Sequence, residues 1–293
     1  MMLKRLLFVF FTALSVSAFA QFTEFGIAAG IANYQGDLSP AASFDSLNIG
    51  QTKGAFGIMV RHNFSPRWGI RGGLTYGKVA GDDRLSTNTQ RLIRNLRFTT
   101  DIAEVSAIFE FNIFGYDPMY SGKKFTPYLL LGAAGYYFNP KADFNGRDIA
   151  LQPLGTEGQG NPGFDEPYSR FSVAVPVGGG IKFALGDTWT VGLELGARKI
   201  FHDYLDDVSS KYAGYDVIAN GPGGETGALL ANRTWELTDA NPASLPAGGI
   251  RGNDEFVDWY YFSMATLTYH LPGNKRKGRR RGGRGNQLGC PTW

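Results

Sequence analysis

Three histidines, a tight run of aspartates and a lone cysteine are the residues of this chain whose types could do chemistry. Histidines act as general bases or metal ligands when other groups converge on them. His62 and His270 fall at one end of the strands identified below and His202 at the opposite rim, so they do not meet. Asp203, Asp206 and Asp207 have the oxygen chemistry of a calcium site. They come from a single segment with no second histidine, and such a run reads as solvated or as capping local turns. A serine nucleophile has no elbow motif to sit on. Gly221, Gly223, Gly224 and Gly227 make a flexible loop but lack the strand-before, helix-after context and the lysine of a phosphate loop. No catalytic residue, metal or cofactor is assigned, and the chain reads as non-enzymatic.

The remaining chemistry is interaction chemistry, concentrated after Leu271. Residues 272–293 hold seven of the 29 basic residues and no acid. Two more bases, Lys4 and Arg5, precede an apolar run at 6–16 and a small-x-small site at 18–20, the pattern of a secretory signal peptide. The run is short for an uncleaved anchor helix, and no cysteine follows the cleavage site. The body from 21 to 271 then carries 20 bases against 26 acids. A mildly acidic body therefore bears a tail of charge +7, which whole-chain charge hides. The tail alternates Gly and Arg without apolar period, so it is expected to be disordered alone. Arg279, Arg280 and Arg281 suit an acidic partner protein, anionic lipid headgroups or cell-wall carboxylates. Nucleic acid is not expected in an exported compartment. Cys290, an unmatched thiol there, could pair with another chain, with the basic segment steering the encounter. Trp293 reads as a further partner contact.

These residues need a scaffold, and composition limits the choices. The chain has 293 residues with 43% apolar and 14% aromatic side chains and 40 glycines. That rules out disorder throughout, and one cysteine rules out a disulfide scaffold. No run after residue 20 gives the ~20 continuous apolar residues of a spanning helix. Strict alternation is the signal that does appear. Trp68, Ile70, Leu74 and Tyr76 alternate with Gly69, Arg71, Gly73 and Thr75. The same pattern runs through 56–61, 104–111, 173–183 and 191–198, and more loosely through 25–33, 126–138 and 258–271. These eight segments predict an all-β fold: an eight-stranded antiparallel transmembrane β-barrel with long outer loops and a basic C-terminal tail. Predicted short connections at 64–67 and 186–188 and a medium one at 113–124 would face the periplasm. Long ones at 34–52, 79–96, 139–170 and 202–257 would face outside. A soluble lipocalin-type barrel is the alternative, but it would put apolar residues inside.

The inward face of such a barrel carries Arg61, Arg71, Lys182 and Arg198 against Glu104, Glu110 and Glu194. In a narrow lumen those charges persist only if paired. A salt-bridge plug is the reading, with an ion-selective constriction as its alternative. Outward Trp68, Tyr76, Trp259, Tyr261 and Tyr269 are placed to form interfacial girdles.

Several segments are distinctive beyond alternation. They are Asn-Tyr-Gln-Gly-Asp-Leu at 33–38, Phe-Thr-Pro-Tyr-Leu at 125–129 and Phe-Asn-Pro-Lys-Ala at 138–142. Pro-Leu-Gly-Thr-Glu-Gly-Gln-Gly at 153–160, the stretch at 198–209 through Asp203 to Ser209, Asp-Trp-Tyr at 258–260 and Cys-Pro at 290–291 complete the set. With these the chain resembles the small outer-membrane barrel family that includes PorG of the type IX secretion system. The basic insert before Cys290 departs from that pattern. The resemblance implies a non-enzymatic subunit that ties a periplasmic ring, resembling PorK and PorN, to the outer membrane. The alternatives are a surface barrel acting as adhesin or receptor through its loops, or a small-solute channel.

Overall fold

Lipid outside and a crowded lumen inside demand opposite chemistry on the two faces of each strand, and the residues comply. The computed structural model describes residues 22–39, 50–119, 121–238, 240–244, 247–254 and 257–271. The leader at 1–20 and the tail at 272–293, with Arg279, Arg280, Arg281, Cys290 and Trp293, lie outside them. The strands are β1 (Phe22–Gln35), β2 (Lys53–Asn63), β3 (Trp68–Asp82), β4 (Arg97–Asn112), β5 (Phe125–Phe144), β6 (Arg147–Ala150), β7 (Phe171–Leu185), β8 (Trp189–Ile200) and β9 (Trp259–His270). All neighbours are antiparallel in the order β4-β3-β2-β1-β9-β8-β7-β5, and β4 pairs with β5 to close an eight-stranded barrel. The first and last strands meet, with Glu24 opposite His270 and Gln35 opposite Trp259.

On β9, Tyr260, Phe262, Met264, Thr266, Thr268 and His270 all point inward and are buried. Outward residues on the other strands are apolar and open, among them Val105 at 62% exposure and Leu193 at 59%. The outward apolar stretches run from Trp68 to Tyr76 on β3 and from Trp189 to Ala197 on β8. Lys78 and Lys199 follow them. That is about the 9–11 residues a tilted strand needs to cross a bilayer. Trp68 packs on Phe111 at 4.6 Å and Trp189 on Tyr269 at 5.1 Å between ring centroids, at the short-turn end. Tyr76 with Phe56, and Tyr137 with Phe171, mark the other border. Just past it lies an outward charge cluster in which Asp101 takes Lys78 at 3.4 Å and Lys141 at 2.7 Å. Among the described residues no helix is long and apolar enough to cross a membrane; the strands form the apolar belt.

Several strand ends differ from the sequence expectation, and β1 to Gln35 and β3 to Asp82 run into stretches expected to be loop. β1 begins at Phe22 rather than 25, which adds Glu24 to the lumen face. The stretch from 139 is not wholly loop: β5 continues to Phe144 and turns into β6. The turn is Asn145-Gly146, both at positive φ (55° and 76°), which supplies the two left-handed residues of a tight hairpin. Short helices fill the long connections: α1 (Thr89–Arg94), then α2 (Tyr215–Ala219), α3 (Gly224–Ala231) and α4 (Trp235–Thr238).

Candidate functional site

Two buried polar systems occupy the barrel, one at mid-height and one beneath the long loops. At mid-height the seven charged residues singled out from the sequence are all buried, and Glu24 joins them. Glu110 from β4 is the hub: Arg61 reaches it at 2.9 Å, Lys182 at 2.7 Å and Arg71 at 3.3 Å. Arg61 also holds Glu24 at 2.8 Å and Arg71 holds Glu194 at 2.5 Å. One layer nearer the loops, Arg198 pairs with Glu104 at 3.1 Å and lies 4.6 Å from the Phe262 ring centroid. Hydroxyls fill the remaining acceptor positions. Thr268 donates to Glu24 at 2.6 Å, Tyr128 to Glu194 at 2.7 Å and Tyr260 to Glu104 at 2.9 Å. Gly180 lies against Tyr128, where a Cβ would come within 2.8 Å of the ring. Four bases and four acids neutralise one another, which is the condition for keeping such charges out of water.

The lumen is crowded at mid-height as well as neutral. Between Arg71, Glu194 and Arg198 lies a cavity of about 30 Å³, room for about one water. At the short-turn end Tyr116, from the connection at 113–124, tucks under the barrel against Phe22 and Ala184. Its hydroxyl bonds Thr190, and Thr190 bonds buried His270 at 2.6 Å. His62 sits at the same end with Thr23 at 3.0 Å. His202 is at the far rim, 2.7 Å from the Tyr136 hydroxyl and stacked on Phe138 at 4.8 Å. Burial pushes the His202 imidazole down to about 4, so it is neutral near pH 7.

Beneath the long loops, four segments far apart in sequence lock together. Glu157 accepts from the backbone N–H groups of Ser209 at 2.9 Å and Ser210 at 3.1 Å, and from the Ser210 hydroxyl at 2.7 Å. Arg251 reaches Glu157 at 2.9 Å and donates to the Asp207 and Ala231 carbonyls. Asp207, at φ 67°, accepts from Thr156 at 2.5 Å and Tyr168 at 2.7 Å. Arg94 on α1 grips Asp83 at 2.7 Å and the carbonyls of Asp37 and Arg251. Tyr204, Tyr168, Phe138 and His202 stack in sequence, with centroid spacings of 4.6, 6.0 and 4.8 Å. The distinctive segments at 33–38, 153–160, 198–209 and 258–260 thus converge on one cap.

The aspartate run corrects half of its sequence reading: it is buried, while Asp206 does cap a local turn. Asp203, Asp206 and Asp207 are not solvated; they are 6%, 1% and 1% exposed. Asp206 accepts from Val208 N–H at 2.9 Å and the Tyr34 hydroxyl at 2.5 Å, and Asp258 lies 3.0 Å from that same hydroxyl. Asp258 also accepts from Leu205 N–H at 3.0 Å, and Asp37 from Asn253 N–H at 2.7 Å. A Cβ on Gly36 would overlap both Asp258 and the Tyr34 hydroxyl. Neither oxygen of Asp203 has a hydrogen-bond partner. Burial, reinforced by Asp206 and Asp37 and opposed more weakly by Ser209, pushes Asp203 up to about 9. Burial also raises Asp206, Asp258 and Asp37. Among the described residues no three His, Cys, Asp or Glu side chains already converge on one ion position.

Sequence reasoning missed Glu24, Glu157, Arg94, Arg251 and Asp258 as site residues. Glu24 shares the parity of Ala28 and Ala32 and was there to be found. Arg94 and Arg251 carry no local signal, since their partners lie in other loops. On the rim, a groove of about 670 Å³ opens between Arg91, Arg94, Tyr212, Thr234, Arg251 and Asn253.

The pattern of a family described as a domain of unknown function matches residues 3–222. No curated protein matches. The chain is similar to the solved outer membrane protein OprG of Pseudomonas aeruginosa, with 10% identity over 87% of this chain and 97% of that one and a TM-score of 0.42. It is also similar to Ail, the attachment invasion locus protein of Yersinia pestis, solved with the heparin analogue sucrose octasulfate. Identity there is 11% over 86% and 99% of the two chains, with a TM-score of 0.38.

Proposed function

The chain belongs to that family, DUF6089, and from this footing we propose that it is a non-enzymatic outer-membrane barrel that anchors partners rather than conducting solutes. The crowded lumen supports the reading: four basic and four acidic side chains pair at mid-height beside a cavity of about 30 Å³, and an eight-stranded barrel has room inside for little beyond its own side chains. What such a barrel has to offer is its two ends. With short turns in the periplasm and long loops outside, the tail from 272 also enters the periplasm. We assign it the part the PorG-like resemblance implies: tethering a periplasmic ring of the PorK and PorN kind in type IX secretion. The basic residues steer the contact, Cys290 ties it by a disulfide and Trp293 packs on the partner.

Two experiments test this. In planar bilayers the purified chain gives no stepwise conductance; steady steps would refute the plug and favour the channel reading. Deletion of the gene stops protein secretion, and a copy lacking 272–293 fails to restore it. Loss of attachment with secretion intact would instead favour a surface receptor. The rim groove, with Tyr212, Thr234 and Asn253 among three arginines, is the observation on the side of that second reading.

A further inference from the structure

The cap under the long loops holds more negative charge than its own bases answer. Its arginines are engaged elsewhere: half-buried Arg94 pairs with Asp83 and only favours Asp37 and Asp206 from a distance, as Arg91 does Asp37, and buried Arg251 pairs with Glu157 and Asp207. Asp37, Asp203, Asp206 and Asp258 have no ion pair within 4 Å among the described residues, and all are buried. Their hydrogen bonds come from three backbone N–H groups and one hydroxyl, Tyr34, whose single proton stands between Asp206 and Asp258. Asp203 has nothing. It is 6% exposed, both its oxygens are unpartnered, and the carboxylates that bear on it are Asp206, Asp37 and Glu157, while Asp258 is raised by it in turn. An orphaned carboxylate facing other carboxylates out of water is costly unless something positive, or protons, sits among them.

We propose that Asp203, together with a neighbouring carboxylate of the Asp37, Asp206 and Asp258 group, binds one calcium ion that locks the long-loop cap. The donors are hard oxygens, which selects the calcium and magnesium class over transition metals. Two carboxylates completed by backbone carbonyls and water suffice for calcium, which tolerates irregular geometry. Among the described residues no three such side chains converge, so backbone carbonyls and water would have to supply most of the ligands. Asp207 is outside the site, since Arg251, Thr156 and Tyr168 already engage it. The ion would bridge the loop after β1, the segment after β8 and the entry to β9. The proposal is independent of the secretion and receptor readings.

The test uses the full chain in detergent micelles at pH 7.5. Terbium luminescence, sensitised by Tyr34 and Tyr204, reports occupancy, and calcium is then titrated in as competitor. Proteinase K cleavage within 201–258 reads the cap independently. The expected result is one saturable site with an affinity of about 10⁻⁴–10⁻³ M, in the range of extracellular modules. Asp203→Asn should weaken it about tenfold or more, Asp258→Asn likewise, and Glu236→Gln, which lies outside the cluster, should leave it unchanged. Calcium should slow cleavage in the parent and not in Asp203→Asn. Heat-modifiable migration checks that each variant retains its barrel. Absence of calcium competition, or equal affinity in Asp203→Asn, overturns the proposal. Magnesium competing as well as calcium overturns the choice of ion. Cleavage that slows on acidification and ignores calcium means that protons, not a cation, balance the cluster, and also overturns it.

Discussion

Glu110→Gln removes the acid that three bases share. In the folded barrel Arg61, Lys182 and Arg71 stand 2.9, 2.7 and 3.3 Å from it, each nearly free of solvent. The substitution keeps the shape of the side chain and deletes its charge, so a neutral lumen becomes positive by one. Arg61 retains Glu24 and Arg71 retains Glu194, whereas Lys182 loses its only ion pair among the described residues. Breaking a buried pair costs about 3–5 kcal/mol because a charge is left without compensation. With Lys182 stranded, the upper part of that range, about 4–5 kcal/mol, is expected. Lys182→Met removes the stranded charge, so the double variant should recover about 2 kcal/mol relative to the sum of the single ones, a coupling typical of direct contacts. The assay is urea titration of the chain refolded into lipid vesicles, read by tryptophan fluorescence and by heat-modifiable migration. A cost below about 1 kcal/mol for Glu110→Gln, or strict additivity in the cycle, would refute the claim that these charges form one network.

Three other outcomes follow from the ends of the barrel. Glu157→Gln weakens the acceptor of Ser209, Ser210 and Arg251, so limited trypsin digestion should cut at Lys211 and Arg251 about tenfold or more faster, for a local loss of about 1.5–3 kcal/mol. In calcium-free buffer the cap should loosen as pH rises. Asp203 keeps its proton in the folded cap up to about 9 but releases it near 3.8 when the loop is free, so the stabilisation is whole below about pH 4 and is lost toward pH 9. His202 acts in the opposite sense, and its contribution is lost as pH falls from 6.5 toward about 4. Protection from proteinase K should therefore fall between pH 6 and pH 9, and a flat profile there would contradict the assigned burial. Finally, Cys290→Ser should abolish any reducible high-mass band on non-reducing gels of outer membranes; a band that persists excludes this thiol from the tie.

The barrel itself was legible because its cause is local. Lipid on one side and a packed lumen on the other impose a period of two, and segments such as 68–76 carry it residue by residue. Arg61, Arg71, Lys182 and Arg198 stand out against glycines for the same reason, since a small neighbour makes room for a long inward side chain. Glu24 escaped only because the strand start was set at 25, past a residue of the right parity. The β5–β6 hairpin escaped because alternation was followed only to 138 and 139–170 read as loop, although Asn145-Gly146 is a strong turn signal. The cap was illegible for a different reason. Asp203 reads as a surface aspartate until Tyr34, Asp37 and Asp258 are brought beside it, and no local pattern encodes a contact between residues 34 and 258.

The pairing of β1 with β9 sets the order in which this molecule can be made. Each interior strand finds a partner next to it in the chain, but the seam joins the first strand to the last, from Glu24 opposite His270 to Gln35 opposite Trp259. Until β9 has emerged and docked, two strand edges stay open, and an open edge is a template for mispairing. Closure must also wait for the longest-range contacts in the chain, which slows folding. The lumen charges add to the delay: Glu24 and Thr268 sit on the two seam strands and bond at 2.6 Å, so that part of the network completes only at the last step. A truncation inside β9 should therefore yield an aggregate rather than a smaller barrel.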